Sequence, residues 1–329
     1  MATITGVTHP TLKDLADAQG VDNKIAKVVE MMSKNNALFE VLPFAEGNQT
    51  DGHKTVVRTG IPKPTWRKLY GGVQPTKSSR AAVTDKCGNL EAYAEVDAKL
   101  VDLNGNTGEF RMQEDAAHIE GMGQEFNSTC YYGNNEESEK FEGLFSRYGA
   151  TDTDETQIGS HVIDAGGTGA DNTSIMIMCL GAEKIMGIVP KGSMAGIQTE
   201  DKGKVTATAP DGGNMEIYRS HYQLEGGISV RDWRYGVRIA NIDISELQAG
   251  NVDLIKFLII AIEQLQSDDG AMIFCNKTVR TWLRLQILDK ANSTITQENV
   301  AGKQVLSFDG HPVHREDAII NAEARVLAV

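Results

Sequence analysis

The sequence lacks the cysteine patterns, the long apolar runs and the leader that mark secreted, zinc-binding or membrane-spanning proteins. Its strongest apolar run, at 254–262, is interrupted by Lys256 and is shorter than the roughly 20 residues that a membrane helix needs. The N-terminus has neither a basic region nor an apolar core, which predicts a protein that stays in a reducing, cytoplasm-like compartment. Its four cysteines are scattered and are expected to be reduced, buried thiols: Cys87, Cys130, Cys179 and Cys275.

Positive charge is also scarce, with 32 Lys and Arg residues against 45 Asp and Glu residues and a net charge of −13. Because affinity for nucleic acid comes from neutralising phosphate with Lys and Arg, this balance argues against a general nucleic-acid binder. The sequence contains no GxSxG, HExxH or Walker motif. His311 and His314 stand close together with no third or fourth ligand indicated, so neither a metal nor a cofactor is expected.

The positive charge that is present is concentrated at residues 51–87, which we call the hairpin arm. This segment has eight Lys and Arg residues and two Asp residues, so its charge is +6 and that of the remainder is −19. Two predicted strands, at 53–59 and 74–84, flank a Pro- and Gly-rich tip that carries Trp66 and Tyr70. A basic arm with exposed aromatics on an acidic chain predicts that one subunit reaches over another. An ordinary surface hairpin is the alternative.

The rest of the chain predicts a mixed protein with a long helix and an α/β C-terminal part. The long helix, expected from a capping box at 106–109 to about Tyr132, is interpreted as a structural strut, with Gly121 and Gly123 packed closely against another backbone. Residues 149–172 are predicted to be a polar linker or surface loop. Other helices are predicted at 10–18, 22–34, 253–266 and 276–290. Strands are predicted at 90–103, 174–180, 227–232, 235–242, 271–275, 304–308 and from 319 onward, with a hairpin at 203–216.

This order of elements and a set of idiosyncratic sequence strings resemble one known family. The strings lie at 46–60, 65–69, 90–96, 103–106, 230–235, 237–243, 275–280 and 310–315. Through them the chain resembles, over nearly its whole length, tailed-phage major capsid proteins of the Hong Kong 97 type, most closely those of the epsilon-fifteen-like short-tailed phages. The resemblance implies an α+β capsid fold with an N-terminal arm (1–46), an extended β-hairpin loop (47–87), a peripheral domain with a long spine helix (88–173 and 217–248) and an α/β axial domain (174–216 and 249–329).

The function implied by the resemblance is that of a coat protein rather than an enzyme. Identical subunits would assemble into hexamers and pentamers of an icosahedral shell in a virion, assembled in the host cytoplasm and enclosing double-stranded DNA without sequence-specific contact. Further implied partners are a separate scaffolding protein, a portal and a decoration protein, with no membrane. Neither residue of the Lys–Asn isopeptide bond of some relatives can be matched, so non-covalent association is expected. The alternatives are an encapsulin-like nanocompartment shell and, below it, a soluble α/β enzyme.

The candidate site residues are those expected to join subunits. On the extended loop, basic and aromatic side chains are predicted to make the contacts: Arg58, Trp66, Arg67, Lys68 and Arg80. Their acidic partners on a neighbouring copy are expected on the long helix: Glu109, Glu114 and Glu120.

Overall fold

The computed structural model describes residues 10, 34–103, 107–134, 139–209, 212–289, 295–300 and 303–329. The chain divides into two compact units. The first contains the described residues of 1–34, 89–127 and 194–225, and the second those of 35–88, 128–193 and 226–329. The four-part division implied by the resemblance remains a prediction. The helices predicted at 10–18 and 22–34 lie outside the described residues, apart from Pro10 and Lys34.

Helices and strands are mixed along the described chain, as the sequence predicts. The helices are α1 (Ala37–Val41), α2 (Ala98–Asp102), α3 (Thr107–Tyr132), α4 (Leu144–Arg147), α5 (Ile244–Gln248), α6 (Leu254–Gln264) and α7 (Lys277–Asp289), with 3-10 turns at Ile158–His161 and Trp233–Tyr235. The strands are β1 (Phe44–Glu46), β2 (Gly52–Gly60), β3 (Ser79–Lys86), β4 (Gly88–Asp97), β5 (Val162–Asp164), β6 (Asn172–Cys179), β7 (Ile185–Val189), β8 (Gln198–Thr208), β9 (Asn214–Val230), β10 (Gly236–Asp243), β11 (Ala271–Cys275), β12 (Ile295–Val300), β13 (Lys303–Phe308) and β14 (His311–Arg315).

The first unit packs one side of the long helix α3 on a small sheet. Strands β4 and β8 both pair with β9, and β8 pairs with it antiparallel, which confirms the predicted hairpin and lengthens it. Met122 and Phe126 are buried at helical spacing. A Cβ at Gly121, by contrast, would meet no atom within 4 Å. The close backbone packing predicted for Gly121 is therefore not made among the described residues.

The second unit is built on a seven-stranded sheet in the order β12-β13-β14-β11-β6-β10-β5. Every residue of β6 and β10 is buried, because the apolar runs of these central strands are covered on both faces. Helix α6 packs on β10 and helix α7 on β14, and both helices contribute to one apolar core. The predicted cap of α7 is confirmed, since Asn276 Oδ1 accepts a hydrogen bond from the Val279 N–H at 2.8 Å.

Three predictions of local structure are wrong. The segment predicted as a linker, 149–172, contains the 3-10 turn Ile158–His161 and strand β5, which pairs in parallel with β10. The segment looked like a linker because it has few apolar residues, and some of these lie in the sheet. No strand runs from Ile319 onward; the described residues there make only isolated bridges. The strand predicted at 90–103 ends at Asp97, whose side chain accepts from the Lys99 N–H at 2.8 Å and so begins α2.

Candidate inter-subunit surface

The hairpin arm is an antiparallel pair of strands that leaves most of its side chains in solvent. Strands β2 and β3 pair from Gly52 opposite Lys86 to Gly60 opposite Ser79, with an irregularity between Arg58 and Gly60. The tip beyond them is exposed, and Trp66 and Tyr70 are fully accessible at 101% and 99%. Tyr70 adopts a positive φ of 64° in a turn where the Gly71 N–H donates to the Lys68 carbonyl at 3.0 Å. A globular protein rarely exposes a whole Trp and Tyr together, so this tip has the character of a contact surface.

The register of the arm brings two of the predicted contact residues together. Arg58 on β2 lies directly opposite Arg80 on β3. Two like charges directly opposite each other destabilise a strand pair by about 0.2–1 kcal/mol. Neither guanidinium has a carboxylate partner within the described part of the chain, and both side chains are exposed. A carboxylate supplied by another molecule would relieve this repulsion.

The base of the arm, unlike its tip, is held by a buried polar network. Asp85 is only 2% exposed. Its Oδ1 accepts from Arg147 Nη1 at 2.6 Å and its Oδ2 from the Ser229 hydroxyl at 2.6 Å. Arg147 also donates to the Ile228 carbonyl at 3.3 Å. The arm is therefore fastened to β9 and α4 through one carboxylate.

Two glycines allow the chain to enter the arm closely packed against its own backbone. A Cβ at Gly52 would lie 2.0 Å from the Asp85 carbonyl oxygen, and one at Gly47 would lie 2.4 Å from the Gly52 carbonyl oxygen. Beside them, Asn48 bonds to Lys54 in both directions, donating to its carbonyl at 2.8 Å and accepting from its N–H at 2.7 Å. These contacts fix where the arm leaves the second unit.

His53 completes the base. Arg231 Nη2 lies 3.1 Å from His53 Nε2, a separation at which the guanidinium donates to the neutral ring. Burial and then the Arg231 charge lower the pKa of His53 below its ordinary value, with Asp85 opposing them. The imidazole is thus held in its neutral form as an acceptor.

The acidic residues expected to receive the arm lie on α3, in the first unit. The side chain of Glu109 lies outside the described residues. Glu114 is half-buried. Glu120 is also half-buried and accepts hydrogen bonds within its own chain, from Gln124 Nε2 at 2.7 Å and from the Lys34 N–H at 3.2 Å. The pairing of these carboxylates with the arm remains a prediction.

A second buried network holds the C-terminal segment and was not predicted from the sequence. Arg238 on β10 donates to Glu323 Oε2 at 2.8 Å and to the carbonyls of Phe145 and Tyr148. Burial lowers the pKa of Arg238, and the Glu323 charge opposes this shift. Glu323 also accepts from the Tyr132 hydroxyl at 2.7 Å. The network ties β10, α3 and the last residues into one core.

The sequence singled out the exposed half of the arm but missed its anchors, Asp85, Arg147 and Ser229. One signal was available for Asp85, which is one of only two acids in a strongly basic segment. Nothing in the sequence marks Arg147 or Ser229, because their partner lies 62 and 144 residues away along the chain.

The described residues contain no group of three or more His, Cys, Asp and Glu side chains that could hold a metal ion. His311 lies 3.7 Å from Asp268, and His314 stacks on Phe274. Three of the four cysteines are buried and burial raises the pKa of the Cys275 thiol to about 12, whereas Cys87 is only half-buried. No helix in the described ranges is long and apolar enough to cross a membrane.

A family model and one solved structure match nearly the whole chain. The model of the family described as major capsid protein GP7 matches residues 20–327. A solved structure of bacteriophage epsilon15 is 31% identical, covers 99% of both chains and superposes with a TM-score of 0.79. The capsid of bacteriophage JBD30 is 9% identical over 88% of this chain and 92% of its own, with a TM-score of 0.48. An encapsulin of Synechococcus elongatus is also 9% identical, over 71% of this chain and 96% of its own, with a TM-score of 0.45. The comparison with curated proteins found no match.

Proposed function

The chain belongs to the family of major capsid proteins described as GP7, and from this premise we propose that its hairpin arm joins neighbouring subunits of the shell. The protein is a tailed-phage coat protein of the Hong Kong 97 type that forms an icosahedral shell, which confirms the family and fold expected from the sequence. The observation that carries this conclusion is the 31% identity to the epsilon15 structure over 99% of both chains. A nanocompartment shell is the less supported alternative.

The exposed chemistry of the arm supports its role as a contact. Trp66, Arg67 and Lys68 stand together at the tip, and aromatic and Arg side chains dominate the binding energy of protein interfaces. Arg58 and Arg80 lack anionic partners among the described residues, while the rest of the chain has a charge of −19. The charge of the arm therefore complements the acidic remainder of a neighbouring copy.

Assembly requires only heterologous contacts, in which one surface of a subunit binds a different surface of the next, and a rotation between subunits that closes the ring. Each subunit presents its arm to one neighbour and receives the arm of another, so rings of five and six copies use the same pair of surfaces. Each contact is weak by itself, and the closed shell is strong because many act together. This role is structural and uses no catalytic step.

The finer parts of the function are also proposals. The shell would enclose double-stranded DNA, with scaffolding, portal and decoration proteins as further partners, and would assemble in the host cytoplasm. The net charge of −13 supports packaging without adhesion, since an acidic surface repels phosphate.

Sedimentation and electron microscopy of the purified chain test the proposal. We expect closed shells, or rings of five and six copies, whose amount rises with protein concentration and with added scaffolding protein. A uniform monomer under all of these conditions contradicts it. Nuclease-protected double-stranded DNA in particles from infected cells separates a virion shell from a protein-filled compartment.

A further inference from the structure

A glycine-rich loop, residues 165–171, folds over the end of β10 and the start of β6 in the second unit. There Asn172 of β6 lies directly opposite Asp243 of β10. Directly opposed residues of an antiparallel pair point to the same face of the sheet, so the two side chains are neighbours. Gly167 and Gly169 of the loop lie against both of them. The loop therefore covers a pair of polar side chains.

Two carboxylates converge on Gly169. A Cβ at this glycine would lie 2.7 Å from Asp171 Oδ1 and 2.7 Å from Asp243 Oδ2, so both oxygens surround one point. The other oxygen of each carboxylate is already bonded. Asp171 Oδ2 accepts from the N–H and the hydroxyl of Ser245. Asp243 Oδ1 accepts from the Glu246 N–H at 3.0 Å. Neither converging oxygen has a hydrogen-bond or ion-pair partner in another described residue.

A third oxygen, that of the Asn172 amide, is fully buried beside them. Asn172 Nδ2 donates to the Gly169 carbonyl at 2.8 Å, which fixes the orientation of the amide. Its Oδ1 is buried and has no hydrogen-bond partner within the described ranges. A Cβ at Gly167 would lie 2.7 Å from this oxygen and 3.0 Å from Asp243 Cβ, so the oxygen faces the Asp243 side chain. Buried polar atoms are nearly always paired, and this one indicates a ligand.

The chemistry of these three oxygens identifies the class of ligand. Two carboxylate oxygens with no basic partner repel each other, and a cation between them removes the repulsion. Carboxylate and amide oxygens are the ligands of hard cations, whereas Zn²⁺ takes mainly nitrogen and sulfur. Mg²⁺ demands a nearly ideal octahedron, but Ca²⁺ accepts a flexible set of oxygens that includes main-chain carbonyls and water. An irregular set on a glycine-rich loop therefore favours Ca²⁺.

We propose that the loop 165–171 binds one Ca²⁺ ion, with Asp171, Asn172 and Asp243 as its side-chain ligands. Main-chain carbonyls or water supply the remaining ligands, since only two carboxylates are present. The ion ties the loop to β6, to β10 and to the start of α5, whose N-cap is Asp243. This site goes beyond the proposed shell function and holds whether or not the hairpin arm joins subunits.

Calorimetry and thermal denaturation of the full-length chain test the proposal. After removal of metal with EDTA, titration with CaCl₂ should show one site per chain, and CaCl₂ should raise the Tm above its value in EDTA. MgCl₂ at the same concentration should raise it less. No binding and no change of Tm in about 5 mM CaCl₂ overturns the site, because the weakest Ca²⁺ modules have a Kd of about 10⁻⁴–10⁻³ M. An equal effect of MgCl₂ overturns the choice of Ca²⁺.

Three variants locate the ion. Asp171→Asn keeps an acceptor for Ser245 but removes a charged ligand, and should weaken Ca²⁺ binding by about tenfold or more. Asp154→Asn is the matched control, because Asp154 accepts from the N–H and the hydroxyl of Thr156 in the same way, and it should bind like the parent. Gly169→Ala puts a methyl group between the two carboxylates and should weaken binding without changing the charge.

The variants also state what contradicts the site. Parent affinity in both Asp171→Asn and Gly169→Ala overturns it. An equal loss of affinity in Asp154→Asn overturns it too, since the ion would then not be held by the loop 165–171. Thermal denaturation in EDTA checks that each variant is folded before its affinity is compared.

Discussion

A single carboxylate connects the exposed arm to the interior. Asp85 is buried with both of its oxygens bonded, and its partner Arg147 keeps a second bond to the backbone of β9. Removing one member of a buried ion pair leaves the other without compensation, and that cost exceeds the net gain of making the pair. The arm therefore depends on a residue that lies outside its proposed contact surface.

Asp85→Asn should lower the free energy of unfolding by about 3 kcal/mol, because Arg147 loses its buried counter-charge at 2.6 Å and keeps only the more exposed Glu142 carboxylate, 3.8 Å from its Nε. Chemical denaturation measures the change. Asp51→Asn, at an exposed acid of the same arm, is the matched control and should stay within about 0.5 kcal/mol of the parent. Equal stability of the two variants would show that Asp85 does not anchor the arm.

The burial of His161 should make the stability of the folded chain depend on pH. It is buried, it lies 3.0 Å from the Gly236 carbonyl through Nδ1, and burial lowers its pKa below 6.5. The unfolded chain then binds a proton at a higher pH than the folded chain does, so stability decreases as pH falls below about 6.5. Denaturation curves between pH 7.5 and 5.5 should show this decrease, and His161→Gln should make it smaller without removing it, because the pKa values of His53 and His314 are lowered in the same direction. An unchanged slope in the variant contradicts the assignment.

The arm as an element combines a rigid base with a free tip. At Gly52 an added Cβ would lie only 2.0 Å from the Asp85 carbonyl oxygen, so no larger residue fits without a shift. A Cβ added at Gly72 in the tip would meet nothing within 4 Å. The two glycines therefore have different roles: Gly52 allows close packing at the base, and Gly72 lies in the open tip. At the base of the arm, glycine is needed because the two backbones lie too close together for a side chain.

Gly52→Ala should destabilise the chain by about 2 kcal/mol, since the added methyl group forces β2 and β3 apart. Limited proteolysis should then cut faster at the Lys and Arg residues of the arm. Gly72→Ala should change neither stability nor cleavage by a comparable amount. The interpretation fails if the two substitutions have the same effect.

Helices and strands are predicted well from the sequence where the hydrophobic pattern and the length of the segment indicate the same element. They are predicted poorly where pairing with a residue far along the chain determines the structure. The strand at 271–275 and the helices that became α3, α6 and α7 follow from periodicity and capping residues such as Asn276. Strand β5 could not be predicted, because three residues form a strand only beside β10. For the candidate site, charge and aromatic content identify the arm, but its anchor depends on residues far along the chain.

At the scale of the whole molecule, charge is separated between a basic arm and an acidic remainder. A contact between copies that uses this separation should respond to reversal of one charge at the tip. Arg67 is exposed and lies next to the fully exposed Trp66. Among the described residues, the Arg67 side chain makes no hydrogen bond or ion pair on which folding of the single chain would depend.

Arg67→Glu should abolish shells while the subunit keeps its circular dichroism spectrum and thermal transition, because the substitution turns attraction to an acidic neighbour into repulsion. Arg67→Gln removes the charge without reversing it and should give an intermediate yield. Sedimentation velocity measures all three chains at one concentration. Normal particles from Arg67→Glu would show that the tip is not a contact.

The anchored base has a mechanical consequence. Nine residues of β2 at about 3.3 Å each give a lever about 30 Å long, so a tilt of about 10° at the Asp85 anchor carries the tip through about 5 Å. We expect such a tilt to let one polypeptide meet its neighbours at the different angles of five-fold and six-fold rings, with the change of angle at the base of the arm and not within the sheet.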